Sequence, residues 1–108
     1  MEMYISNGAN LFIIFIVSTE IDLQGREETN GISWSLLDTN CKSMPNLQPT
    51  DNRLYKEKCD LHVGQAYTLQ CKDEGDGWKS NYIIIENYEY CKHTRNTTSY
   101  NITITGRV

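Results

Sequence analysis

The sequence lacks the signatures of several large functional classes. Its 10 basic residues stand against 14 acidic ones, a net charge of −4, and no long basic run interrupts that balance, so nucleic acid is not an expected partner. No apolar run approaches the roughly 20 residues that a membrane-spanning helix needs. Histidine is scarce: His62 and His93 stand alone, and no two cysteines share a Cys-x-x-Cys spacing, which argues against a zinc cage and a redox pair. Gly-x-Ser-x-Gly, His-Glu-x-x-His and phosphate-loop patterns are missing, so no enzyme is expected. Both prolines fall within 45–49, alanine is sparse, and no segment of convincing length shows a helical period.

What is present favours strands. Tyrosine (7 residues), threonine, asparagine and isoleucine are abundant, and 108 residues suit one domain. The pattern predicts strands at Met3–Ser6 (followed by an Asn7-Gly8 turn signal), Leu11–Thr19, Ile32–Leu37, Arg53–Cys59, Ala66–Cys71, Tyr82–Glu86, Tyr88–Lys92 and Ser99–Thr105. Ile32, Trp34 and Leu36 alternate with Ser33 and Ser35, which puts Trp34 in the core. In the last strand Tyr100, Ile102 and Ile104 face inward, and Asn101, Thr103 and Thr105 face water. The lysines of Arg53–Cys59 suit an edge strand. The expected fold is all-β: a disulfide-stapled antiparallel β-sandwich or jelly roll of about eight short strands, one domain over 1–108.

Leu11–Val17 is a run of seven apolar residues, long enough for the core of a secretory leader. The segment before it has an acid and no base, the wrong sign for such a leader. The run is therefore read as a buried strand of the mature fold, with any secretion signal outside these 108 residues. Residues 1–18 then become candidates for an N-terminal strand used in assembly.

The cysteines at 41, 59, 71 and 91 are even in number and widely spaced, which fits disulfides and an oxidising compartment. Of three pairings, Cys41–Cys59 would close the proline-containing loop onto the edge strand, and Cys71–Cys91 would tie the strands flanking an acidic turn. Two sequons, Asn96-Thr97-Thr98 and Asn101-Ile102-Thr103, point to glycosylation and to secretion. The turn Asp73-Glu74-Gly75-Asp76-Gly77-Trp78 is rich in oxygen ligands. Ca²⁺ is the one cofactor it suggests, through Asp73 and Asp76, with Asp22, Glu27 or Glu28 completing the shell. The competing reading is a β-turn whose Asp side chains bind loop amides, with Trp78 packed beneath. Tyr55, Tyr67, Tyr82, Tyr88, Tyr90 and Tyr100 form a sugar-stacking surface only if several share an exposed face. Lys92, His93 and Arg95 read as a solvated turn.

These residues resemble a module of large secreted and surface proteins of protists, algae and other eukaryotes. The resemblance rests on Thr19, Asp22, Gly25, Glu28, Trp34 and Leu36. It continues through Cys59, Leu61, Gly64, Tyr67-Thr68-Leu69, Cys71, Asp73, Gly75-Asp76-Gly77-Trp78 and Tyr90-Cys91. It runs from Leu11 to Thr105; the first half departs from the pattern by an inserted Thr29–Ser33 between Glu28 and Trp34. Such modules are similar in outline to CUB domains, and the resemblance implies a non-enzymatic structural or adhesion role at the cell surface or outside the cell. Expected partners are copies of itself or neighbouring modules in a fibre or tandem array. The alternative is a calcium- or carbohydrate-binding module with glycans as partners.

Overall fold

The computed structural model describes residues 2–6, 12–45 and 47–106, all in strands, turns and loops. The Asn7-Gly8 turn signal and Leu11 lie outside the described residues. Eight strands follow in order: β1 (Glu2–Ser6), β2 (Phe12–Gln24), β3 (Ile32–Leu36), β4 (Leu54–His62), β5 (Ala66–Asp73), β6 (Tyr82–Ile85), β7 (Tyr88–Tyr90) and β8 (Thr97–Thr103). They form two antiparallel sheets. The larger is built on β2, flanked by β4 on one side and by β1 and then β6–β7 on the other; the smaller has the order β3-β5-β8. The chain is thus an all-β, disulfide-stapled sandwich, as its alternation and turn spacing imply.

The alternating strands bury one face each. Ile21 and Leu23 of β2, Cys59 and Leu61 of β4, and Ile83 and Ile85 of β6 meet Trp34, Leu36, Tyr67, Leu69, Cys71, Ile102 and Ile104 of the smaller sheet and its continuation. Trp34 is 3% exposed, a core residue as its strand phase predicts. The two bridges are Cys41–Cys59 and Cys71–Cys91, with Cα–Cα separations of 5.9 and 6.0 Å. Each joins the two sheets: β4 to the loop after β3, and β5 to the residue that follows β7. Glu86 and Asn87, both with positive φ (47° and 69°), make the two-residue turn that returns β6 into β7.

Two expectations need correction. The apolar strand does not stop at Thr19; it runs to Gln24, because Ile21 and Leu23 continue its inward phase. Nor is all of 11–17 buried: Phe15 is 42% exposed and Ile16 and Val17 are half-buried. The reason lies in the register. β4 pairs with β2 only from Ile16 onward and β6 only from Ile21, so Phe12–Phe15 has β1 as its sole strand neighbour among the described residues. The smaller sheet ends where Ile104 meets Gly64 and Gln65, at the level at which the Val63 amide reaches the Phe15 carbonyl. The β1–β2 pair is therefore an arm that extends past the sandwich, in a molecule measuring 51 × 23 × 21 Å.

Candidate functional site at the loop pole

Register places the loops 25–31, 74–81 and 91–96 together at the pole opposite the arm. Gln24 lies opposite Tyr82 and Leu54, Ile32 opposite Asp73, and Lys72 opposite Thr97. Three polar anchors shape this pole. Asn81, fully buried, accepts at Oδ1 from the Arg26 and Glu27 amides (2.7 and 3.1 Å), and its Nδ2 donates to the Thr29 hydroxyl (3.1 Å). Trp78, also fully buried, donates from Nε1 to the Lys72 carbonyl at 3.1 Å, and the acidic turn folds over it. Asp73 accepts at Oδ1 from the Gly75 and Gly77 amides, both at 2.8 Å, and at Oδ2 from the Asn96 amide at 3.3 Å. Gly75 is required on space grounds: a Cβ there would stand 2.6 Å from the Asn30 carbonyl oxygen.

Asp73 is thus engaged as a loop organiser. Partial burial pushes its carboxyl upward, but the three amides and the charge of Arg95 outweigh that and hold it below the usual carboxylate range. Of the other calcium candidates, Asp76 lines a cleft at this pole, Glu28 is exposed in the 25–31 loop, and Asp22 sits mid-strand opposite Lys56 and Ile84. Among the described residues, no three His, Cys, Asp or Glu side chains are grouped closely enough to hold a metal ion. Burial and the neighbouring Glu20 push the Asp22 carboxyl above its ordinary value against the pull of Lys56, and its Oδ1 is buried without a hydrogen-bond partner.

The cleft has a volume of about 420 Å³ and is lined by Glu27, Asp76, Gly77, Lys79, Ser80, His93, Thr94 and Arg95. Glu27 accepts from the Ser80 amide and hydroxyl. Those bonds, helped by the nearby charges of Lys79 and His93, hold its carboxyl low despite some desolvation. Lys79, His93 and Asn96 all have positive φ (51°, 61° and 60°), and the His93 amide donates to the Lys79 carbonyl at 2.7 Å. Non-glycine residues held in that region carry strain, and such strain concentrates where a loop must present particular groups. By sequence Lys92, His93 and Arg95 read as a solvated turn. The cleft is not legible there because Glu27 and Ser80 are 53 positions apart and meet only through the fold.

Tyr55, Tyr67, Tyr82, Tyr88, Tyr90 and Tyr100 do not form an exposed row. The Tyr67 hydroxyl accepts from the His62 amide, Tyr90 and Tyr100 pack edge to face at 5.3 Å, Tyr55 is half-buried, and Tyr88 is the strongly exposed one at 69%. Asn96 and Asn101 of the two sequons are both exposed. Comparisons with protein families, with curated proteins and with solved structures find no match to this chain.

Proposed function

We propose that this protein is a non-enzymatic structural or adhesion module that works outside the cell and associates with copies of itself through the β1–β2 arm. The observation that carries this reading is the arm itself: strand backbone at Phe12–Ile14 with β1 as its one strand neighbour among the described residues, and Phe15 beside it 42% exposed on the face that elsewhere forms the core. Unpaired strand backbone next to exposed apolar surface invites strand addition from another chain. The two inter-sheet disulfides support an oxidising setting, as do the exposed sequon asparagines and the resemblance to secreted modules. Light scattering after size exclusion tests it. The protein is expected to associate as concentration rises, and Phe15→Glu to remain monomeric with an unchanged melting temperature. A wild-type protein that is monomeric throughout, or a Phe15→Glu variant that associates equally well, would remove the arm from the reading.

The loop-pole cleft favours a second reading, a carbohydrate-binding module. It offers two carboxylates, two hydroxyls, the Lys79 and Arg95 cations and the His93 imidazole around one concavity, a set suited to sugar hydroxyls and acidic substituents. Glycan-array binding that is lost in Lys79→Ala and Arg95→Ala would favour it over assembly. For the calcium version, titration calorimetry that gives heat with Ca²⁺ and none with Asp76→Asn is the corresponding check.

A further inference from the structure

Four strands border the sandwich proper, and three of them are guarded against pairing with another chain. β3 is capped by the segment after it: the Leu36 amide donates to the Cys41 carbonyl and the Ser43 amide to the Trp34 carbonyl, both at 2.9 Å. β4 carries alternating charge along its length, with Lys56, Lys58 and Asp60 exposed. β7 is three residues long with Glu89 at its centre. Short edges, charged edges and covered edges are the usual protective devices. β8 has none of them. It is seven residues long, Thr-Thr-Ser-Tyr-Asn-Ile-Thr, uncharged and free of proline. It pairs with β5 on one side, and no described strand pairs with its other side. That open side borders a groove of about 410 Å³ shared with β7, in which the exposed Tyr88, Asn101 and Thr103 and the half-buried Tyr90 take part.

The unguarded strand is also the one that carries a sequon in its middle. Asn101 is exposed; its Oδ1 accepts from the Thr68 hydroxyl at 3.4 Å, which leaves Nδ2 facing away from that bond. Thr103 shares its exposed face two residues on.

We infer that Asn101 carries an N-linked glycan whose structural task is to guard the β8 edge against pairing with a second copy of this chain. The inference rests on the extracellular reading above. In the transfer, the bond from C1 of the first sugar to the diphosphate of a polyprenyl-diphosphate-linked oligosaccharide breaks. A bond from that carbon to Nδ2 forms, Nδ2 gives up one proton, and polyprenyl diphosphate leaves with the bonding electron pair. An incoming strand must approach to within about 4.8 Å of β8. A branched oligosaccharide rooted mid-strand and several rings wide occupies that lane. Association is thereby directed to the arm, at the molecule's end.

The test is expression of the chain behind a cleavable leader in a eukaryotic secretory host, followed by peptide mass spectrometry and light scattering. The Asn101 peptide is expected to carry hexosamine-based glycan. Asn101→Gln and Thr103→Ala, two independent ways of losing the sequon, should tighten self-association at least tenfold. Asn101→Lys, which replaces the glycan with an edge charge, should not. All are compared in wild-type and Phe15→Glu backgrounds, so that association through β8 is read separately from association through the arm. An unmodified Asn101 in secreted, oxidised protein overturns the inference, as does an Asn101→Gln variant no more self-associating than the glycosylated form, or an Asn101→Lys variant that associates like Asn101→Gln. Protein that fails to leave the cell and keeps reduced cysteines overturns the extracellular reading and the inference with it.

Discussion

Two aspartates show how the same side chain is set to opposite ends by its surroundings. Asp73 collects three backbone amides and lies beside Arg95, so the folded protein favours its ionised form. Its contribution to stability is present at neutral pH and is lost as pH falls through and below the ordinary carboxylate range near about 4. Asp73→Ala should cost about 1 kcal/mol, the figure for hydrogen bonds to a charged group reduced for exposure, and the acid limb of its stability curve should flatten. Urea titrations at pH 7 and pH 3 check both. Asp22 is the reverse case. Burial and Glu20 favour its neutral form, so its ionisation weakens the fold at neutral pH, and that cost is relieved as pH falls through its raised value. Asp22→Thr removes a buried unpaired oxygen and adds a β-branched side chain mid-strand. It should raise stability at pH 7 by about 0.5–1 kcal/mol, with a smaller gain in acid, as read by thermal melts at the two pH values.

Among the elements, β2 decides most. Its last residues, from Val17 to Gln24, pair with β4 and in part β6 and hold the centre of the larger sheet, while among the described residues its first residues pair with β1 alone. One strand thereby serves both as core scaffold and as arm, which explains how an apolar run can lie at the middle of a sheet and still expose Phe15. The substitution Phe15→Glu should therefore separate the two roles, abolishing association while sparing stability; losses of both together would mean that the arm is part of the core after all. β8 is the complementary case, a well-packed inner face from Tyr100 and Ile102 joined to an outer side that no described strand pairs with, and Asn101 lies along it.

At the level of the molecule, the two disulfides do the same job twice. Each crosses between the sheets, with sequence separations of 18 and 20. Loop-closure entropy gives about 3 kcal/mol for a bridge of that span. Both cysteines of the Cys71–Cys91 pair are fully buried, beneath the loop pole. Cys71→Ser with Cys91→Ser should lower the melting temperature by more than about 10 °C, and by more than the Cys41–Cys59 double substitution, because the buried pair also leaves hydroxyls in the core. Differential scanning calorimetry of the two variants makes the comparison. The arm and the loop pole lie at opposite ends of a molecule 51 Å long.

Strand alternation, turn residues and cysteine spacing were enough to read the class of fold, eight strands near their observed places, the inward phase of Trp34 and of Tyr100, Ile102 and Ile104, and both cysteine pairs. The strand phases follow from a local rule, that side chains alternate along a strand, and the cysteine pairs from the loop and the strands that each bridge would tie. What the sequence left open depended on which strands end where. Whether Phe15 is covered depends on how far β4, β6 and the smaller sheet extend; whether Asp73 binds an ion or amides depends on where Gly75, Gly77 and Asn96 come to rest. The Glu27–Ser80 contact joins residues that the chain keeps far apart, and the outer side of β8 has no strand neighbour among the described residues. Such features are set by long-range pairing, and only the assembled sandwich decides them.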